Sequence, residues 1–175
     1  MIRPAAALML LTALFSSPLA ARVFMTREEA LATAFPRDIK VTRQTFFLKP
    51  SELEAVRKES GVDFDAALVI RYAGSDGSYA YFDTHRVRTM PEMVMITVSA
   101  DEKLGRIEIL SFDEPTDYYP KRRWLDQFVH RVLNKDLSLN GAIRPMSGAS
   151  LTGRAITDAA RKVLALHRVL GTRTR

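Results

Sequence analysis

Residues 145–166 read PMSGASLTGRAITDAARKVLAL, a small, hydroxyl-rich stretch that runs straight into an amphipathic pattern. Within it, Ser147, Gly148, Ala149, Ser150 and Thr152 are types that contribute little apolar surface. The first amides of a helix have no partner inside it and carry the positive end of its dipole. A phosphate placed there meets several donors at once. Gly148 permits close backbone approach, and Ala149 keeps bulk away. The hydroxyls of Ser147, Ser150 and Thr152 are suited to donate to a phosphate or to become its ester. Arg154, one turn further on, supplies positive charge. The same residues also fit a plainer role, in which Ser150 or Thr152 caps the helix and stabilises it by about 1 kcal/mol. The residues alone leave both open.

Elsewhere the chain offers fewer chemical constellations. His85, His130 and His167 fall on a predicted strand and two predicted helices without ligand spacing, so no metal is expected. His130 and Asp126 share a predicted helical face, but two residues do not make a metal site. In the run DTHRVR, strand alternation puts Arg86 and Arg88 on one face, suited to anionic groups or simply to solvent. No Gly-x-Ser-x-Gly elbow occurs, which argues against a serine hydrolase, and no Gly-x-Gly-x-x-Gly fingerprint argues for bound NAD. With no cysteine, c-type haem attachment, iron–sulfur clusters and thiol chemistry are excluded. The formal net charge of +6 is dispersed without a basic block and interleaved aromatics, so nucleic acid is not an expected partner. An anionic partner, a phosphorylated cofactor or a bilayer face, suits it better.

The elements that must position these residues follow from periodicity. TREEALATAFP predicts a helix with Thr26 as N-cap, Glu29 at capping-box spacing, and Pro36 as its stop. KVTRQTFFL predicts a strand, and KPSELEAVRKESG a second helix, capped by Ser51 with Glu54 and closed by Gly61. DAALVIRYAG and SYAYFDTHRVR read as a hairpin about GSDGS. EMVMITVSADEKLGRIEILSF reads as a second hairpin, making about four antiparallel strands. In that pair Met93, Met95 and Val98 are apolar positions of the first strand, and Ile107, Ile109 and Phe112 carry the second. DEPTDYYPKRRWLDQFVHRVLNK predicts an aromatic loop entering a helix with Trp124, Phe128, Val132 and Leu133 on one side. DLSLNGAIRP is a loop or short strand. The last helix is expected from about Thr152 to Leu170, with Ile156, Ala159, Val163, Leu166 and Leu170 on its apolar stripe. The fold class is α+β: an antiparallel sheet with helices at the N- and C-terminal ends of a single domain.

Residues 1–21, MIRPAAALMLLTALFSSPLAA, carry one positive charge, a short apolar run and a small-residue segment, the pattern of a signal peptide. The expected organisation is therefore a leader over 1–21, a helix–strand–helix lead-in over 22–66, and the main domain over 67–175. The mature chain of roughly 150 residues suffices for one domain with its own core. The expected location is periplasmic or extracytoplasmic, with membrane association.

SGASLTGRAITDAARKVL resembles the C-terminal signature of the FMN-binding domain family. That domain occurs in the flavin-carrying subunits of sodium-translocating NADH:quinone reductase and the Rnf complex, and in small exported proteins. MITVSADEKLGRIEILSFDEPTDYY, RRWLDQF and REEALATAFP resemble further family segments in the same order, across roughly residues 25–170. Two positions depart from the family pattern: Ser150 stands where the family has Thr, and Arg144 where it has Asp. The resemblance implies covalent FMN, held as a phosphoester at Ser150 after delivery by a flavin transferase. Thr152 is a second candidate acceptor, and Ser147, Gly148, Ala149, Leu151 and Glu114 are further cofactor-binding candidates. Tyr118, Tyr119 and Trp124 are candidates for a wall against the flavin ring. The implied function is electron relay between a donor and an acceptor, each a membrane or soluble redox protein. No catalytic residue of the chain's own is implied. Two alternatives stand beside it: a non-redox binding or sensory module keeping the fold without covalent flavin, favoured by Arg144, and a reductase of a small acceptor.

Overall fold

The computed structural model describes residues 23–171; the expected signal peptide over 1–21 lies outside them. The elements are α1 (Arg27–Ala34), β1 (Val41–Phe47), α2 (Pro50–Ser60), β2 (Leu68–Gly74), β3 (Tyr79–Arg86), β4 (Pro91–Val98), β5 (Leu104–Phe112), the one-turn α3 (Arg122–Leu125) and α4 (Ser150–Gly171). Short 3₁₀ turns lie at Thr116–Tyr118 and Asp126–Phe128. The strands form one antiparallel sheet in chain order, β1-β2-β3-β4-β5. The α+β class is thus realised, with five strands in place of four. The lead-in strand β1 pairs with β2 along its whole length, Val41 opposite Gly74 through Phe47 opposite Leu68.

Both ends of α1 follow the sequence reading. Thr26 Oγ1 accepts from the Glu29 amide at 3.1 Å, and Glu29 Oε2 accepts from the Thr26 amide at 2.8 Å. The start of α2 differs. Lys49 is its N-cap residue with Pro50 next, and the carboxylate that reaches back is Glu52, accepting from the Lys49 amide at 2.7 Å. Proline suits a first helical position because its missing N–H would be unpartnered there anyway, so the helix begins ahead of Ser51. Gly61 ends it in the left-handed region, at φ +67°.

Strand alternation divides the apolar residues between two faces. Tyr81, Val94, Ile96, Val98, Ile107, Ile109 and Phe112 join α2, α4 and the 125–143 segment in the main core. Ala80, Met95 and Leu110 face α1 with Phe35, and Met93 packs at that cluster's edge. Met93 and Met95 therefore lie across the sheet from Val98. The interior strand β4 is apolar on both sides because both sides are covered.

The largest departure is after α3. The predicted helix through Leu133 stops at Phe128, and His130 takes φ +63°. Backbone pairing with β5 competes with helix continuation here: the His130 amide donates to Leu104 O at 2.7 Å, and the Leu104 amide to Arg131 O at 2.8 Å. Phe128 and Leu133 still reach the core, whereas Val132 is exposed. Asp126 and His130 consequently share no helical face.

All of the predicted stripe on α4 is buried, from Ile156 to Leu170. Arg161 fixes this helix to its surroundings. Its Nε donates to Ser60 O at 2.6 Å, and its Nη1 to Asn134 O and Leu137 O at 2.9 and 3.0 Å. Ile156 is fully buried, so Ile156→Ala should lower the unfolding free energy by about 2–5 kcal/mol through lost burial and a residual cavity. Urea denaturation checks this; a loss below about 1 kcal/mol would mean that α4 is not seated as described.

Candidate functional site

The entrance to α4 is built by a turn at residues 146–149. The Ala149 amide donates to Met146 O at 3.3 Å, and Ala149 O accepts the first helical bond, from the Gly153 amide at 3.1 Å. Ala149 is thus the capping position. Ser150 opens the helix, two residues earlier than expected, and Thr152 stands in its first turn. Neither hydroxyl bonds a helix-start amide, so the capping role weighed for Ser150 and Thr152 is not the one they play. Among the described residues, nothing accepts from the amides of Ser150, Leu151 or Thr152.

The predicted residues divide by exposure. Ser147, Gly148 and Ser150 are open to solvent, and Leu151 is 48% exposed. Ala149 and Thr152 are buried, Thr152 to 1%. Of the two candidate acceptors, Ser150 and Thr152, Ser150 is therefore the exposed one. Gly148 has φ +77°, and a Cβ placed there would meet nothing within 4 Å, so backbone conformation, not space, calls for glycine. Gly153 packs beneath Trp124, whose Cζ2 lies 3.4 Å from where a Cβ would stand.

Trp124 links this entrance to an open groove of about 760 Å³, lined by Lys121, Arg123, Trp124, Gln127, Arg131, Gly141, Ala142 and Arg144. Arg144, noted above for its charge, has its backbone held on both sides. The Trp124 indole donates to its carbonyl at 2.7 Å, and its amide donates to Gln127 Oε1 at 2.9 Å. Tyr119 packs edge-on against Phe24 and Phe112, with centroids 5.1 and 5.5 Å away, while Trp124 packs against Phe128. Tyr119 and Trp124 therefore belong to different aromatic groups and not to one continuous wall. Glu114 is committed to a turn: its Oε1 accepts from the amides of Arg88, Thr89 and Met90 at 3.2, 2.8 and 3.0 Å. Those amides, Thr89 and Met90 foremost, hold its carboxyl below the usual range. Arg86 donates to Thr89 O at 2.9 Å in the same turn.

No family model, curated protein or solved structure matches this chain. What the site does must be read from its own groups. Among the described residues, no helix is long and apolar enough to cross a membrane, and no group of three or more His, Asp or Glu side chains is placed to hold a metal ion.

A second constellation lies midway along α4. Lys162 Nζ meets Asp83 Oδ1 at 2.5 Å, Asp83 Oδ2 meets His85 Nδ1 at 2.8 Å, and His85 Nε2 meets Glu92 Oε2 at 2.9 Å. Glu92 is fully buried, and its other oxygen has no partner among the described residues. Burial works against charge on His85, but its hydrogen bonds to the Asp83 and Glu92 carboxylates outweigh it and push its pKa up to about 9. Burial raises Glu92, only partly offset by His85. For Asp83 burial is again the largest influence, but His85 and Lys162 together hold it below its ordinary value. With both imidazole nitrogens engaged, His85 is a clamp and not a free base.

Sequence reasoning took from DTHRVR only the Arg86 and Arg88 face, although Asp83 and His85, two residues apart on β3, share a face by the same alternation. Glu92 was findable too, because the β3–β4 hairpin sets it opposite His85. Lys162 gave no local signal, since only helix packing brings it to the sheet. The third histidine, His167, is buried, and its Nδ1 is hydrogen-bonded with the Tyr81 hydroxyl at 2.8 Å. Burial and the nearby Arg71 push its pKa down to about 4.

A folded-state pKa above the ordinary 6.5 means that protonated His85 contributes stability fully below pH 6.5, lost as pH rises through about 9. Unfolding free energy should therefore fall across pH 6.5–9 in the parent relative to a His85→Gln variant. Denaturation midpoints at several pH values measure the difference; parallel profiles would show that the imidazole is not charged in the fold.

Proposed function

We propose that this chain is an exported electron-transfer flavoprotein, with FMN held through its phosphate at the entrance of α4. The observation that carries this reading is the exposed Ser150 hydroxyl beside three unpartnered amides on a 22-residue helix. A phosphate ester on Ser150 Oγ would sit where the helix dipole favours negative charge. Gly148 leaves the approach open. The resemblance of SGASLTGRAIT and the segments before it to the FMN-binding domain supports the identity of the ligand.

In this reading a flavin transferase moves the FMN phosphoryl group from a flavin dinucleotide to Ser150: the Oγ–phosphorus bond forms, the pyrophosphate phosphorus–oxygen bond breaks, the nucleoside monophosphate leaves with the bridging oxygen, and the serine proton is released. Bound FMN supplies electron uptake and release, one or two at a time. The chain's own residues fix the phosphate, keep Leu151 and the adjacent surface at the cofactor, and hold Arg144 and Trp124 in place. An ester link suits a location where a dissociated cofactor would be lost. Electrons would come from and pass to other redox proteins.

Protein exported from a host that has the transferase should carry about 438 Da of added mass, FMN less water, on the peptide containing Ser150. Ser150→Ala should remove the addition, and Ser150→Thr should keep it. An adduct that persists in Ser150→Ala, or no adduct on the parent in that host, would overturn the covalent reading. A parent without flavin in any form would point instead to a binding module, a role that the charge of Arg144 favours.

A further inference from the structure

The groove beside Trp124 has a property that ester attachment at Ser150 does not require. Four cationic side chains, Lys121, Arg123, Arg131 and Arg144, converge on it, and no carboxylate lines it. Among the described residues, none of the four lies within ion-pairing distance of an acid. Arg122 shows the contrast one residue away. It pairs with Asp126 and Glu108 and donates to Ile107 O at 2.9 Å, so its charge is spent within the fold. Gathering like charges around a concavity raises local potential and repels itself unless an anion is present.

The groove is also fixed in shape. Arg131 spans it, with Nε donating to Gln127 O at 3.0 Å and Nη2 to Ala142 O at 3.5 Å. The bonds from Trp124 and to Gln127 hold the Arg144 backbone against the opposite wall. Gln127 Nε2 in turn donates to Trp124 O at 3.2 Å. The indole is thus locked by its own N–H and by edge-on packing against Phe128 at 5.3 Å. A preorganised site loses little conformational freedom on binding.

We infer that this groove binds, reversibly and without Ser150, a small phosphate ester carrying a flat ring, a ligand of the mononucleotide class. Arginine forks and the lysine take the phosphate, and the indole with the neighbouring guanidinium groups takes the ring. A volume of about 760 Å³ accommodates such a molecule, where a bare phosphate would leave the aromatic wall unused. The site stands apart from the flavin proposal, because it needs the groove cations and not the Ser150 hydroxyl.

Trp124 is the sequence's single tryptophan, so its emission reports on this groove alone. The full chain is titrated with AMP, with adenosine and with pyrophosphate, at low and high salt. AMP should quench saturably and adenosine at least ~10-fold more weakly; pyrophosphate should compete, and salt should weaken binding. An Arg123→Gln/Arg144→Gln double variant that melts like the parent should bind AMP at least ~10-fold more weakly, and Ser150→Ala should bind it unchanged. Equal binding of adenosine, no saturable quenching by millimolar AMP, or quenching only by a single-stranded oligonucleotide would overturn the inference. Loss of the Ser150 adduct with AMP binding intact would separate a failed groove from a failed flavin site.

Discussion

Seating a 22-residue helix on a sheet brings the Lys162 ammonium into a place where water cannot fully solvate it, and the fold depends on meeting that charge. A buried ion without a counter-ion costs several kcal/mol, which is why such charges appear paired or not at all. Asp83 meets Lys162, His85 bridges Asp83 to Glu92, and the four groups balance as two positive and two negative charges when His85 is protonated. The chain runs from α4 through β3 to β4, so it sets the height of the helix over the sheet. Arg161, one residue earlier, sets its lateral position through the carbonyls of Ser60, Asn134 and Leu137. Lys162 lies twelve residues after Ser150, about 18 Å along the axis. Anchoring the helix at its middle leaves its start free to stand at the surface with amides and a hydroxyl exposed.

The burial of Arg71 shows the same economy of charge handled differently. It is 2% exposed and has no carboxylate beside it among the described residues. Its Nε donates to Gln44 Oε1 at 2.8 Å, and its guanidinium lies over the rings of Phe46 and Tyr79 at 4.9 and 4.7 Å. Aromatic faces substitute for an acid, and the neighbouring His167 stays neutral beside them. One side of the core therefore uses ion pairing and the other uses rings.

Much of this was legible in the sequence, for reasons that differ by element. The capping box of α1, the two hairpins and the stripe of α4 are local, so periodicity and turn chemistry reveal them. The membership of β1 in the sheet was not, because a strand between two helices does not announce its pairing partner. The early end of α3 was hidden as well: RRWLDQFVHRVL continues a helical pattern, and only the backbone bonds of His130 and Arg131 with Leu104 divert it. At the candidate site, Ser150 is exposed, while Thr152 is buried against the fold. The groove was missed because Lys121 and Arg123 lie twenty or more residues from Arg144 in the chain, and the bond from Trp124 to Arg144 O brings them together.

The proposed covalent bond between Ser150 and FMN is tested most directly by the state of the colour after acid precipitation. Protein exported by a transferase-bearing host is precipitated in acid, washed and redissolved in denaturant. Flavin absorbance that stays with the polypeptide is the predicted result. Flavin left wholly in the supernatant, or no flavin absorbance in either fraction, would contradict it.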